Sequence, residues 1–312
     1  MMREPLPRAE LELNKPRGGS GSGAKAAWVY VGLAYALSIA LSVFIWLTGG
    51  HESRFMAVSY VSVFFPAAAV FVVSRTMNAP IGPLGGGKHS ILYFLLALFL
   101  MPVVMHAAML PISSALEGGL PWQTWLAHPL SGLYMTPASR GWGTITLQAL
   151  IFRVVMNAFF GVAIVSFLAF FEEVGWRAWL LPRMAERFGA RRAVVLVSLI
   201  WAFWHTPFAL SGILHADGVS APVMAFVHPV GTIGAGMIIG WLWLRTRSVW
   251  IASIAHGALN NWGQYAFKFM DLRQEGDGSI ILLAGGLALA FVGSALLTFA
   301  VAPASGRTAA KA

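Results

Sequence analysis

Long apolar segments, separated by short polar connections, account for most of the chain. Each segment comes close to the ~20 residues that an α-helix needs to cross the hydrocarbon of a bilayer. Helices also satisfy every backbone hydrogen bond where no water is present. The pattern therefore predicts an all-α, polytopic membrane bundle of about eight transmembrane helices. The segments are 27–48, 55–74, 91–113, 145–171, 193–214, 222–244, 249–267 and 279–302.

The basic residues are distributed unequally between the two sides of such a bundle. Eight spans put both termini on one side, and sixteen of the 21 Lys and Arg residues fall there. Basic residues collect in cytoplasmic connections, so we expect both termini in the cytoplasm. The sixteen are Arg3, Arg8, Lys15, Arg17, Lys25, Arg75, Lys88, Arg177, Arg183, Arg187, Arg191, Arg192, Arg245, Arg247, Arg307 and Lys311. Arg54, Arg140, Lys268 and Arg273 fall on the other side, and Arg153 lies inside the fourth segment without an assigned role.

This pattern divides the chain into three parts. Residues 1–26 are polar and include a Gly-Ser-rich stretch at 18–23, which is typical of a flexible tail. Residues 27–302 form the transmembrane domain, and residues 303–312 form a short second tail. The first apolar segment is long enough to span a membrane, so we expect a retained anchor rather than a cleaved signal peptide.

Three connections have a pattern of their own. Residues 177–192 alternate apolar and basic positions at helical spacing, which predicts a helix on the cytoplasmic membrane surface. Residues 76–90 are rich in Pro and Gly and predict a turn-rich loop. Residues 114–144 hold aromatic residues typical of the outer membrane interface, namely Trp122, Trp125, Tyr134 and Trp142.

Composition agrees with a membrane protein. The chain is 58% hydrophobic and 11% charged, whereas a soluble domain carries roughly 25% charged residues. A net charge of +9 would suggest a nucleic-acid partner in a soluble protein. Here the basic residues lie in connections and tails, and we predict no nucleic-acid partner. The absence of cysteine excludes a thiol nucleophile, a thiolate zinc site and any disulfide.

Among the twelve acidic residues, only Glu172 and Glu173 interrupt an apolar segment. An ionisable group inside a membrane costs at least a few kcal/mol and is usually functional. Arg177 lies four residues after Glu173, on the same helical face, so the two can pair. Glu172 is turned about 100° away and is free to act as a base towards water. The alternative is a cluster that only fixes the end of a helix.

Two further polar clusters interrupt later segments. His205 lies within the fifth, two residues before a proline that loosens the helix. His256 and Asn260 are four residues apart in the seventh, and both side chains can donate hydrogen bonds. Each cluster alone is also explained by contacts between helices. Together they supply a base, an imidazole and two donors, which is a complete set for amide hydrolysis.

The remaining histidines are predicted to have no chemistry. His106 and His228 lie in or near apolar segments and are predicted to lack a polar companion at helical spacing. The other four fall in connections: His51, His89, His128 and His215.

The three clusters resemble the motifs of the CPBP group, the CaaX-prenyl-protease-like intramembrane endopeptidases also called the ABI family. The motifs are E-E-x-x-x-R, an aromatic residue four before a histidine, and H-x-x-x-N, in this order. The resemblance covers roughly residues 145–265. The family usually has Phe at the aromatic position, where this chain has Trp201. We expect this departure to be conservative.

The resemblance implies a glutamate-dependent endopeptidase that forms no covalent intermediate. Glu172 would activate water with help from His205, His256 and Asn260 would form the oxyanion hole, and the remaining motif residues, Glu173 and Arg177, would shape the site. Family substrates are C-terminal tails of prenylated proteins and bacteriocin-related peptides, so we expect a peptide or lipidated-protein substrate, a lipid bilayer and no cofactor. The location implied is a bacterial cell membrane.

Three alternatives stay open from the sequence. Glu172, His205 and His256 could bind zinc, although no H-E-x-x-H motif is present. A non-catalytic scaffold or immunity protein of the same fold would retain the residues without a reaction. A transporter could use Glu172 and His205 as a proton relay, although no internal repeat is visible.

Overall fold

The structure is a computed structural model that describes residues 21–82, 84–85, 90–116, 133–135, 144–216, 219–269 and 277–300. Helix α1 is Gly21–Leu47, and two 3₁₀ segments, Gly50–Glu52 and Met56–Phe64, lead into α2, Phe65–Thr76. Helix α3 is Ile91–Leu116, and strands β1, Leu133–Met135, and β2, Thr144–Thr146, precede α4, Leu147–Met156. A π-helical turn, Asn157–Gly161, joins α4 to α5, Val162–Glu173, and a second one, Val174–Leu180, joins α5 to α6, Leu181–Phe188. The remaining helices are α7, Ala190–Trp204, α8, Thr206–Leu210, α9, Ala221–Thr246, α10, Val249–Phe269, and α11, Asp277–Ala295, which ends in a π-helical turn, Leu296–Ala300.

The predicted all-α membrane bundle is confirmed. Within the described residues, seven helices are long and apolar enough to cross a bilayer: Gly23–Leu47, Met56–Thr76, Ile91–Leu116, Ile151–Phe188, Ala190–Leu210, Ala221–Thr246 and Gly278–Phe299. Large apolar side chains such as Phe159 and Phe291 lie on the outside, 71% and 76% exposed. Lipid is the solvent that such a surface requires.

The seventh predicted segment, 249–267, forms a helix but falls outside these seven. Helix α10 is 21 residues long, and its polar residues, among them His256 and Asn261, lower its mean hydropathy. Those two side chains are buried within the bundle. A helix therefore lies at each of the eight predicted segments, but in the described part of the chain seven, not eight, are long and apolar enough to cross a bilayer.

The helix predicted at 177–192 has the wrong bounds, and its predicted place on the cytoplasmic membrane surface stays a prediction. Residues 174–188 continue the fourth span through a π-helical turn, and the next helix already begins at Ala190. Arg177 is 1% exposed, so it is a buried site residue and carries no weight as a signal of membrane orientation. Basic and apolar positions alternate here because one face of the helix packs on its neighbours.

Other boundaries differ more modestly. The first helix starts at Gly21, so six residues of the predicted flexible tail are helical. Strands β1 and β2 pair antiparallel, with Tyr134 opposite Ile145, so the first residues of the predicted segment 145–171 form a strand. The predicted interface residues Trp122, Trp125 and Trp142, together with both chain termini, lie outside the described residues.

Two close helix contacts set the position of the site. Helices α5 and α10 run antiparallel and touch where Gly257 faces Ser166; a Cβ on Gly257 would lie 2.5 Å from the Ser166 backbone nitrogen. Small residues at such crossings let two backbones approach closely.

Helix α1 supports α7 from the other side. The Trp204 indole donates to the Ala34 carbonyl at 3.0 Å, and the Tyr35 hydroxyl donates to the Ile200 carbonyl at 2.7 Å. On α7, these two hydrogen bonds involve Ile200 and Trp204, which lie on either side of Trp201 in the sequence.

Candidate functional site

Glu172 lies near the end of α5, and the residue is 6% exposed. The indole nitrogen of Trp201, on α7, donates a hydrogen bond to Glu172 Oε2 at 3.0 Å. Oε1 has no hydrogen-bond partner among the described residues, so one carboxylate oxygen is held and the other remains able to accept a proton. The predicted separation of Glu172 from the Arg177 pair is thus present in the hydrogen bonding.

Glu173 lies next in the chain but points into a different set of contacts. Its Oε1 accepts from Arg177 Nη1 at 3.0 Å and from His256 Nδ1 at 2.8 Å. All three side chains are almost completely buried. The four-residue spacing had predicted the pair with Arg177, whereas the bond to His256 joins α5 to α10 and depends on the tertiary fold.

His205 lies directly after α7, where the helix gives way to α8. Its Nδ1 is 2.9 Å from the Trp201 carbonyl. A carbonyl oxygen only accepts, so Nδ1 carries the hydrogen and Nε2 presents its lone pair in the neutral ring. Aromatic rings surround the imidazole, including Trp204 at 4.9 Å between centroids.

Trp201 connects these groups. Its indole bonds Glu172, its carbonyl bonds His205, and its ring meets the His256 ring edge-on at 4.9 Å. The Arg177 guanidinium lies 4.5 Å above the same ring, in a cation–π contact. The sequence prediction treated Trp201 as a substitute for Phe and missed the indole donor, which no Phe has. The signal was available, because a buried Trp N–H usually requires a partner.

Among the described residues, Asn260 has no hydrogen bond to another predicted site residue, either directly or through Trp201. Its side chain is exposed at the surface of α10. The next residue, Asn261, is buried and donates to the Asn157 carbonyl at 3.4 Å. The i to i+4 spacing from His256 puts Asn260 on the same helical face, and no distance in the structure tests its predicted role.

His228 has the polar companion that the sequence analysis overlooked. Its Nδ1 lies 3.1 Å from the hydroxyl of Thr232, one turn further along α9. Its ring centroid is 5.1 Å from that of His205. The prediction that His228 lacks a partner at helical spacing is therefore wrong, and an imidazole from α9 lies against the site.

Metal binding was tested against the same geometry. In the part of the chain that the structure describes, no three His, Asp or Glu side chains form a group able to hold a metal ion. Glu172, His205 and His256, the residues of the zinc alternative, do not form such a group among the described residues.

Comparison with known proteins finds similarity in the part of the chain that holds these clustered side chains. Residues 154–262 match the family model of type II CAAX prenyl endopeptidase Rce1-like proteins. A curated relative, CAAX prenyl protease 2 of Methanococcus maripaludis, is 27% identical over 95 residues, which is 30% of this chain and 35% of the relative. The chain therefore matches about a third of that protein's length. The residues matched by the family model include the helices that carry the clustered side chains.

Proposed function

We propose that this chain belongs to the CPBP family and is a membrane-embedded endopeptidase that uses Glu172 to activate water; the family match at residues 154–262 supports the proposal. The observation that carries the proposal is the division of labour between two adjacent carboxylates. Glu173 is committed to Arg177 and His256, while Glu172 is held at one oxygen by Trp201. A structural cluster needs only the first of these.

In the proposed reaction, Glu172 accepts a proton from water as the water oxygen attacks the peptide carbonyl. His205 assists by accepting a hydrogen bond from the same water at Nε2, because its Nδ1 is already bonded to Trp201. The proton then passes to the leaving amine nitrogen as the C–N bond breaks. Atoms balance as one water added across one peptide bond, without a covalent intermediate.

The oxyanion that forms in this step needs hydrogen-bond donors. We propose His256 Nε2 and the Asn260 amide as those donors, each worth roughly 10²–10³ in rate. His256 Nδ1 already bonds Glu173, so Nε2 donates when the ring carries both protons or when Glu173 carries one. Glu173 thereby supports the donor, and Arg177 balances the charge of Glu173.

The proposed substrate is a peptide or lipidated protein reached from the bilayer, and the proposed location is a bacterial cell membrane. We propose that the reaction needs no metal. A chelator should leave cleavage unchanged, and purified active protein should contain no stoichiometric zinc. Loss of activity on chelation, with recovery on adding zinc, would favour the metalloprotease instead.

The deciding experiment is cleavage of a fluorogenic reporter peptide, with and without a prenyl group, by the protein in nanodiscs. Glu172→Gln and His205→Ala should each lower kcat/KM by about 10²–10⁴-fold. Glu186→Gln is the matched control, because Glu186 is an exposed carboxylate on α6. Equal cleavage by all four proteins, or none by the wild type, would reject the protease. A scaffold or a transporter would then be tested by partner capture or by flux in proteoliposomes.

A further inference from the structure

His228 is the imidazole from α9 that lies against the proposed catalytic histidine. The two ring centroids are 5.1 Å apart and the ring planes are tilted by 47°. His205 itself has one hydrogen bond within the described residues, from Nδ1 to the Trp201 carbonyl. A ring held at one atom can still pivot about that bond, so its neighbours decide where Nε2 points.

Thr232 fixes the His228 ring. The Thr232 hydroxyl lies 3.0 Å from the His228 carbonyl and 3.1 Å from its Nδ1. The hydroxyl has one hydrogen, and when it donates this to the carbonyl, Nδ1 donates to the hydroxyl oxygen. Both imidazoles are then held through Nδ1 and present Nε2 as an acceptor.

Resting on the proposed function, we propose that His228 is a positioning residue that holds the ring of His205, and that Thr232 acts through His228. Trp201 and Trp204 meet His205 edge-on from its own helix, at 5.4 and 4.9 Å. His228 supplies the contact from α9. Without it the Nε2 atom of His205 moves away from the water that it helps to activate, and a displacement of about 1 Å can cost roughly 10²-fold in rate.

A purely structural role for the His228–Thr232 pair makes a different prediction. If the His228–Thr232 pair only satisfies polar atoms within α9, its removal changes stability and leaves kcat per folded molecule unaltered. The two explanations therefore separate in steady-state kinetics measured beside thermal unfolding.

The test compares four variants in nanodiscs: His228→Ala, Thr232→Val, Thr232→Ser and the double variant His228→Ala/Thr232→Val. We expect His228→Ala to lower kcat about 10–100-fold with KM changed less than about threefold. Thr232→Val should lower kcat by a smaller factor, Thr232→Ser should restore it, and Thr232→Val should add nothing when His228 is absent. The matched control is His106→Ala, because the His106 ring bonds the Pro102 carbonyl of its own helix and should be dispensable.

A second readout reports the ring directly. In ¹⁵N-histidine-labelled protein, the ring nitrogen signals of His205 should shift in Thr232→Val and stay at their wild-type positions in Thr232→Ser. Wild-type kcat in His228→Ala, or a loss that follows the folded fraction alone, would overturn the inference. If Glu172→Gln is inactive while the His228 variants are not impaired, the protease stands and the positioning role falls. If the wild type cleaves nothing, both fall.

Discussion

Replacing Trp201 with Phe tests whether the indole hydrogen bond matters for the site. The change removes the Nε1 donor to Glu172 Oε2 and keeps an aromatic ring beside Arg177 and His256. It also keeps the backbone carbonyl that holds His205. Phe is the residue that the family usually has at this position, so we expect the fold to accept it. The substitution then removes the indole donor and keeps the aromatic ring.

The expected size follows from the bond that is lost. A hydrogen bond to a charged group contributes about 1.5–3 kcal/mol, and removal of one partner leaves a buried acceptor unsatisfied. At 3.0 Å and with Trp201 2% exposed, this bond belongs to that class. If it holds Glu172 equally in the ground and transition states, the cost appears in stability. If it orients the base for attack, kcat/KM falls by about 10–100-fold, since 1.4 kcal/mol is a factor of about ten.

The assay is reporter cleavage by Trp201→Phe beside Trp179→Phe. Trp179 is also fully buried, and its indole donates at 2.9 Å to the neutral carbonyl of Ala79. We expect Trp179→Phe to lose about 0.5–1.5 kcal/mol of stability with normal kcat per folded molecule. The reasoning is refuted if Trp201→Phe cleaves at the wild-type rate, or if both variants lose activity in proportion to stability.

Two further substitutions probe the frame around the site. Gly257→Ala should lower the unfolding free energy by about 1–3 kcal/mol and separate His256 from Glu173, because the new Cβ would lie 2.6 Å from the Ser166 Cα. The control is Gly32→Ala, because a Cβ on Gly32 would have nothing within 4 Å. Equal unfolding curves for the two variants in detergent would contradict the packing argument. Arg177→Met should cost about 3–5 kcal/mol, since it leaves a buried carboxylate without its cation; denaturant titration checks it, and an unchanged midpoint would mean that His256 suffices as the partner.

Local spacing was enough to predict some of this site. The Glu173–Arg177 pair is an i to i+4 contact on one helix, and helical geometry brings such side chains together without help from the rest of the fold. The apolar segments were predictable for a similar reason, because the bilayer requires about 20 apolar residues whatever the neighbours are.

Contacts between distant segments were beyond that reasoning. The bond from His256 to Glu173 spans 83 positions, and the approach of His228 to His205 depends on how α9 lies against α7. The helix predicted at 177–192 has the wrong bounds because the alternating pattern continues across Gly189, where one helix ends and the next begins. The burial of Arg177 was missed because the same pattern describes any helix with two unlike faces, whether its apolar face meets lipid or the protein interior. Only the fold distinguishes the two.

The bonds from Trp204 to Ala34 and from Tyr35 to Ile200 have a practical consequence. The region matched by the family model, residues 154–262, does not contain all of the contacts that hold it, because α7 is hydrogen-bonded to α1, a helix more than a hundred residues upstream of that region. A fragment cut at residues 154 and 262 would leave the Trp204 indole without its acceptor on Ala34 and the Ile200 carbonyl without the Tyr35 hydroxyl, close to His205. A shortened form of this protein has to keep the first helix, even though that helix carries no motif.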